Sequence, residues 1–167
     1  MNVVTGATAI MYAFAPVSLA ALHKIDGRRS RTYRVPMPGI VLPAAFCCAN
    51  LITYWGGFDT TWKLAVAMLA GLAIFAVGAV RQRTGAQRFI RTSLWMGPWL
   101  GGMVIISAIG RYGGGKEILP DWIDIAVVIA FSLVMFYWAV SNSLSSEQAE
   151  KEVAKDAHQL AFELEPK

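Results

Sequence analysis

The stretch from Ile125 to Ser146, IAVVIAFSLVMFYWAVSNSLSS, decides the fold because it contains no charged residue over the thickness of a membrane. A helix rises 1.5 Å per residue, so this stretch spans about 33 Å. The hydrocarbon core of a bilayer is about 30 Å thick. Ile, Val, Leu and Phe dominate its first sixteen positions, which favours insertion by roughly 3 to 5 kcal/mol. The stretch therefore predicts a transmembrane helix.

Four further stretches share this lack of charge. They run from Met1 to Leu22, Val35 to Phe58, Leu64 to Val80 and Thr92 to Gly110. All 15 basic and 11 acidic residues lie outside the five stretches, whereas a soluble domain distributes its charges over its surface. This separation excludes a soluble enzyme, a nucleic-acid-binding domain and a disordered tail. The formal net charge of +4 comes from basic gaps between spans, so no nucleic-acid partner is expected.

The predicted fold is all-α: a polytopic membrane protein with five transmembrane helices within residues 1–146. The expected spans are about 3–22, 38–56, 62–80, 92–109 and 123–141. The third span is short for a bilayer, but Trp62, Lys63 and Arg81 flank it and can reach the interfaces. The fourth is rich in glycine and contains Pro98, so neighbouring helices must cover it if it is to stay helical.

The basic residues are concentrated in two of the four gaps, and these gaps are expected to be cytoplasmic. The topology-determining residues are Arg28, Arg29, Arg31, Arg34, Arg81, Arg83, Arg88 and Arg91. The N-terminus is therefore predicted to be outside and the C-terminus in the cytoplasm, in a multi-pass protein of the inner (plasma) membrane. The aromatic residues expected at the interfaces are Tyr54, Trp55, Trp62 and Trp122 on the outer side and Trp95 and Trp138 on the inner side.

The tail, residues 147–167, differs in composition from the rest of the chain. Ser145 and Gln148 resemble a capping box, and apolar residues recur at helical spacing from Val153 to Leu164. We predict a short amphipathic cytoplasmic helix. Two interpretations stay open for it: a solvated helix resting on the protein or lipid surface, or a dedicated partner site.

The residues indicate no catalytic, cofactor or metal site, so the chain is not expected to be an enzyme. Gly110–Lys116 fits the start of a phosphate-binding loop, but Glu117 replaces the required Ser or Thr and no strand precedes it, which favours a flexible extracellular turn. Cys47 and Cys48 are adjacent and poorly placed to bridge or to chelate zinc.

Two polar residues near the predicted spans, and one in the tail, have structural interpretations. Asp124 is the only acid close to an apolar core, and its position favours an outer helix cap over a proton relay. His23, beside a helix end, is expected to be a helix-dipole partner or an interface anchor, with a proton relay as the alternative, and His158 lies in the tail. No pair of titratable groups buried in the membrane is predicted.

A resemblance adds to this interpretation. A helix ending in Pro16-Val17-Ser18-Leu19, a basic loop closing in Tyr33-Arg34-Val35-Pro36, and Leu42-Pro43 opening an apolar helix resemble bacterial permeases of the amino acid–polyamine–organocation family. Asn50–Trp55 followed by Gly57–Thr60 resembles the outer end of the eleventh helix in members similar to aspartate–proton symporters. The resemblance covers roughly residues 1–85.

The resemblance implies that the chain is the C-terminal part of a proton- or sodium-coupled amino acid permease. Such permeases hold substrate at unwound segments of their first and sixth helices, which this chain lacks. It would supply scaffold helices, would not transport alone, and would have the missing N-terminal helices and the lipid bilayer as partners; a homo-oligomer is left open. Thr8 and Tyr12 are candidates for an outer vestibule, with plain helix packing as the alternative.

Small residues are expected to mark close helix packing. Gly71 with Gly78, and Gly97 with Gly101, are spaced for such contacts but specify no oligomer. In a fragment, the first helix would present Gly6, Ala9 and Ala13 to lipid. The alternative function is an autonomous five-helix membrane protein that serves as an assembly or interaction subunit.

Overall fold

The computed structural model of the protein describes residues 3–25, 35–81, 95–116 and 120–143. Within these ranges the chain is helical, with no strand. The helices are α1 Val3–Ile25, α2 Pro38–Trp55, α3 Phe58–Arg81, α4 Met96–Ile109 and α5 Asp121–Ser141. The predicted all-α fold is confirmed.

Four of these helices, α1, α2, α3 and α5, are long and apolar enough to cross a membrane. Helix α4 is apolar but has only 14 residues, or about 21 Å of helix. The predicted span 92–109 begins among residues outside the described ranges, so its full length stays a prediction. Seven of the eight topology-determining arginines and the whole tail also lie outside the described residues; Arg81 is the last residue of α3.

Helix α2 lies at the centre of the bundle. It packs along α1 on one side and along α5 on the other, while α3 packs against α4 and α1. The core between them is aromatic: Phe46 on α2 lies 6.3 Å from Trp99 and 5.8 Å from Phe136, measured between ring centroids. Phe14 on α1 meets Trp99 edge-on at 5.6 Å. Helices α1, α2, α4 and α5 therefore share one layer of rings.

The small residues of α1 do not face lipid, so that expectation is wrong. Gly6, Ala9 and Ala13 are all buried. Gly6 lies against Leu64 and Thr60 of α3, where an added Cβ would be 2.7 Å from the Leu64 Cδ1 atom. Small side chains let helix backbones approach closely, and this chain supplies the partner helices itself.

The glycine pairs of α3 and α4 do not show the close helix packing that their spacing predicts. An added Cβ at Gly71, Gly78, Gly97 or Gly101 would meet nothing within 4 Å. No described residue packs against these four positions. Gly102, next to Gly101, instead faces the ring of Phe131 on α5, which occupies the space that a Cβ would need.

The two gaps predicted to be outside meet at one end of the bundle. The Phe58 backbone N–H donates to Tyr112 O at 3.2 Å and the Asp59 N–H donates to Gly113 O at 3.1 Å. Gly57 and Gly113 have φ of 83° and 55°, and their backbones touch, which leaves no room for a side chain at either position. These hydrogen bonds hold the turn 110–116 against the α2–α3 connection. The expectation of a flexible turn is therefore wrong.

The C-terminal ends of α1 and α5 lie together at the other end of the bundle. The Lys24 ammonium donates to the carbonyl oxygens of Val140 and Ser141 at 3.2 and 3.3 Å. A cation at a helix C-terminus is favourable because the unpaired carbonyls carry partial negative charge. The predicted alternation requires these two ends to share a side; which side is cytoplasmic stays a prediction.

Two residues predicted for the interfacial aromatic belts are buried instead. Tyr54 is fully enclosed. Trp95 is also buried, and its ring centroid lies 5.7 Å from that of Phe14. Trp55, Trp62 and Trp122 are exposed, as a belt position requires. The Trp95 ring packs on Phe14 of α1, and the Tyr54 ring packs on Tyr112 in the turn that follows α4.

The close contact of Gly102 with Phe131 yields a prediction. Gly102→Leu should destabilise the fold by about 1 to 3 kcal/mol, because the added side chain overpacks the α4–α5 contact. Gly101→Leu is the matched control, since it faces open space one residue away. Thermal unfolding in detergent measures both. Equal melting temperatures for the two variants would contradict the α4–α5 packing.

Candidate functional site

Buried polar side chains gather where α2 faces α4 and α5. On α2 they are Asn50 and Tyr54, which lie one helical turn apart and are both fully enclosed. Residues four apart share one face of a helix, so both side chains point into the same interface. Facing them are Trp99 and Ser107 on α4 and Asp124 and Ser132 on α5.

The Asn50 cluster joins three helices by hydrogen bonds. The Trp99 indole N–H donates to Asn50 Oδ1 at 3.1 Å. The Asn50 amide donates to Ser132 Oγ at 2.9 Å, and the Ser132 hydroxyl donates to Val128 O at 2.7 Å. In hydrocarbon, such groups are costly to bury unless they bond to one another. The cluster is therefore a polar tie between α2, α4 and α5.

The second cluster is built around Tyr54, one turn further along α2. Its hydroxyl donates to Asp124 Oδ2 at 2.7 Å and also hydrogen-bonds to the backbone of Arg111. Its ring meets Tyr112 edge-on at 5.4 Å between centroids. The hydroxyl lies against Gly110, where any side chain would collide with it. The end of α2 is thereby fixed to the end of α4 and the start of α5.

Asp124 is not the helix cap that its sequence position favoured. The residue before α5 is Pro120, and no side-chain hydrogen bond caps that helix. Asp124 is instead 2% exposed, with Oδ2 bonded to Tyr54 and Oδ1 without a hydrogen-bond partner among the described residues. The expectation that no titratable pair is buried is therefore also wrong. Its partner is 70 residues away in sequence, and no local pattern identifies such a pair.

The vestibule candidates lie away from both clusters. Thr8 is exposed on α1 and its hydroxyl donates to Val4 O, one turn earlier, at 2.9 Å. Tyr12, one turn beyond it, is 67% exposed. The structure places both on the outward face of α1, and a vestibule role for them stays a prediction.

The remaining chemistry-bearing residues are dispersed. Cys47 and Cys48 are free thiols, and both line an apolar groove of about 460 Å³ between α2 and α5. His23 Nδ1 lies 3.0 Å from Leu19 O in the last turn of α1. Among the described residues, no three His, Cys, Asp or Glu side chains come close enough to hold a metal ion.

Sequence comparison finds two bacterial relatives, both from Bacillus subtilis. The chain is 27% identical over 166 residues to "Glutamate/serine transporter AimA", covering 98% of this chain and 30% of that protein. It is 28% identical over 147 residues to "Aspartate-proton symporter", covering 86% of this chain and 28% of that protein. The chain is similar to amino acid transporters.

The chain thus spans less than a third of the length of these curated relatives. No protein-family model matches it, and no solved structure is significantly similar. Together with the four long apolar helices, the similarity makes the chain a multi-pass membrane protein. The relatives are transporters and not enzymes, which agrees with the absence of a catalytic motif in the sequence.

The Asn50 tie yields a prediction. Asn50→Leu should destabilise the bundle by about 1 to 3 kcal/mol, because two interhelical hydrogen bonds are lost and the Trp99 N–H is left buried without an acceptor. Cys48→Leu is the matched control, since Cys48 is exposed on the same helix. Unfolding by denaturing detergent measures both. The tie would be disproved if Asn50→Leu were as stable as Cys48→Leu.

Proposed function

We propose that the chain is the C-terminal part of a secondary-active amino acid transporter of the amino acid–polyamine–organocation family, in the inner (plasma) membrane. The observation that carries the proposal is the similarity of 98% of the chain to a glutamate/serine transporter. A second similarity, to an aspartate–proton symporter, points to the same class of solute. The proposed substrate is therefore an acidic or small polar amino acid, coupled to protons or sodium.

The proposed role of this part is to scaffold the transport helices. In such transporters the substrate lies at the interface of inverted repeats, at broken helices. Three of the described helices, α2, α4 and α5, are instead bonded to one another through the Asn50 tie and the Tyr54–Asp124 bond. A region fastened in this way suits a fixed support, so the chain is not expected to transport alone. The proposed topology has the α2–α3 connection outside.

One observation favours the second candidate, an autonomous assembly or interaction subunit. Gly6, Ala9 and Ala13 are buried within the chain, so α1 does not need an additional repeat to cover its small residues. The outward face of α1, with Val4, Met11 and Tyr12, offers larger apolar side chains to lipid or to another protein.

Uptake of radiolabelled glutamate, serine and aspartate separates the two candidates. The chain would be expressed alone, and also fused behind the N-terminal two thirds of the Bacillus subtilis glutamate/serine transporter in place of its own C-terminal region. The transporter proposal predicts no uptake by the chain alone and uptake by the fusion. The control is the same fusion carrying Gly102→Leu, whose α4–α5 contact is overpacked.

Uptake by the chain alone would contradict its role as a support region. A fusion that inserts into the membrane but transports none of the three amino acids would contradict the transporter proposal and favour the assembly subunit. Membrane insertion is checked by resistance to carbonate extraction, so that a failure of expression is not counted as a failure of transport.

A further inference from the structure

An apolar groove of about 460 Å³ lies between α2 and α5. The buried residues Pro43 and Cys47 form its floor, while Ile40 and Leu133 at its rims are exposed, so the groove opens outward from the bundle. None of the described residues that line it carries a charge. These helices are surrounded by hydrocarbon, and an unfilled groove would forfeit the dispersion contacts of its lining atoms. The groove therefore requires an apolar occupant.

The groove exists because small side chains on α2 face larger ones on α5. Ile129, Leu133 and Tyr137 follow one another at intervals of four residues, so they form one ridge along α5. Opposite this ridge, α2 offers Ala44 and Cys48, whose short side chains leave the space open. Small residues in a membrane often admit a second helix. The dimensions of the groove decide between a helix and a lipid chain.

The groove covers about one leaflet of the membrane. On α2 it runs from Gly39, the second residue of the helix, to Leu51, a distance of about 18 Å along the axis. On α5 it reaches the same side at Tyr137, in the last turns of that helix. The hydrocarbon of one leaflet is about 15 Å deep, half of the bilayer core. Towards the other side, the Tyr54–Asp124 bond joins α2 to α5.

The volume of the groove matches one hydrocarbon chain. At roughly 30 Å³ for a group the size of a water molecule, the 460 Å³ of the groove hold about fifteen methylene groups. A helix of the same length, about 10 Å in diameter, occupies roughly 1,400 Å³. A helix that crosses the bilayer also needs a continuous face of about 30 Å, and the groove is shorter. The dimensions therefore favour an acyl chain that enters from one leaflet.

We propose that the groove between α2 and α5 binds one acyl chain of a membrane phospholipid, from the leaflet on the side where α1 and α5 end. The ester end of the lipid lies beside Gly39 and Tyr137, and the end of the chain lies beside Leu51 and Ile129. Tyrosine suits the ester end, because its ring packs on the acyl chain while its hydroxyl meets the polar headgroup region.

The proposal concerns lipid binding by this chain and does not depend on transport, so it can fail independently of the uptake experiment. It is tested on the full chain in vesicles of phosphatidylethanolamine and phosphatidylglycerol. A small share of the phospholipid carries a diazirine next to the ester, in the middle of the acyl chain, or at its end. After illumination, the labelled residues are identified by peptide mass spectrometry.

Labelling should concentrate in the groove and follow its depth. The diazirine next to the ester should label Tyr137, and the diazirine at the end of the chain should label Leu51. The most direct comparison is between Leu133, which lines the groove, and its neighbour Val134, which is exposed at the same depth outside it. A bound chain should label Leu133 from the middle position more strongly than Val134, although Val134 is the more exposed of the two.

A variant that fills the groove should lose this preference. Ala44→Trp places an indole ring where the chain lies, so labelling of Leu133 should fall to the level of Val134 or below it. Ala45→Trp is the matched control, because Ala45 is exposed on the same helix and does not line the groove. It should be labelled as the wild type is.

Three results would overturn the site. One is equal labelling of Leu133 and Val134 in the wild type, and another is undiminished labelling of Leu133 in Ala44→Trp. The third is a second copy of the chain in the groove, seen as cross-linking of Cys48 to Cys48 between chains by a bifunctional maleimide in place of lipid labelling. If Ala44→Trp does not insert into the membrane, the ratio of Leu133 to Val134 labelling in the wild type and in Ala45→Trp decides the matter.

Discussion

The hydrocarbon core of a membrane offers no water to buried polar groups, so each must find its hydrogen bonds within the bundle. Helix α2 is where this constraint shapes the fold. Asn50 receives the Trp99 N–H of α4 and donates to Ser132 of α5, and one turn away Tyr54 donates to Asp124. The apolar rings around these bonds fill space, and the bonds fix the positions of α4 and α5 along α2.

The helices themselves were predictable because insertion depends on local composition. The expected spans 38–56 and 123–141 differ by two residues or fewer from Pro38–Trp55 and Asp121–Ser141. Their partners were not predictable. Asn50 lies in an apolar stretch with nothing nearby to indicate a partner 82 positions away, and Asp124 has the local context of a cap. The position of a polar residue can be read from the sequence, whereas its hydrogen-bond partner depends on how helices distant in sequence pack together.

Small residues illustrate the same limit. Gly6 and Gly101 both satisfy the rule that small residues permit close helix contact. Gly6 is buried against α3, while Gly101 faces open space and its neighbour Gly102 makes the contact instead. The rule concerns what a helix face allows, and the rotation of each helix about its axis decides which face is used. For α4, the hydrogen bond from Trp99 to Asn50 of α2 helps to fix that rotation.

The central claim is that lipid surrounds the described helices and that their connections lie on opposite sides of it. The direct measurement is labelling of single cysteines by a membrane-impermeant maleimide, in a chain whose Cys47 and Cys48 are replaced by alanine. Tyr112→Cys should react from one side of the membrane only, Met37→Cys from the other side only, and Val134→Cys, on the exposed face of α5, from neither. Labelling of Val134→Cys as fast as Tyr112→Cys, or of Tyr112→Cys and Met37→Cys from the same side, would contradict the account.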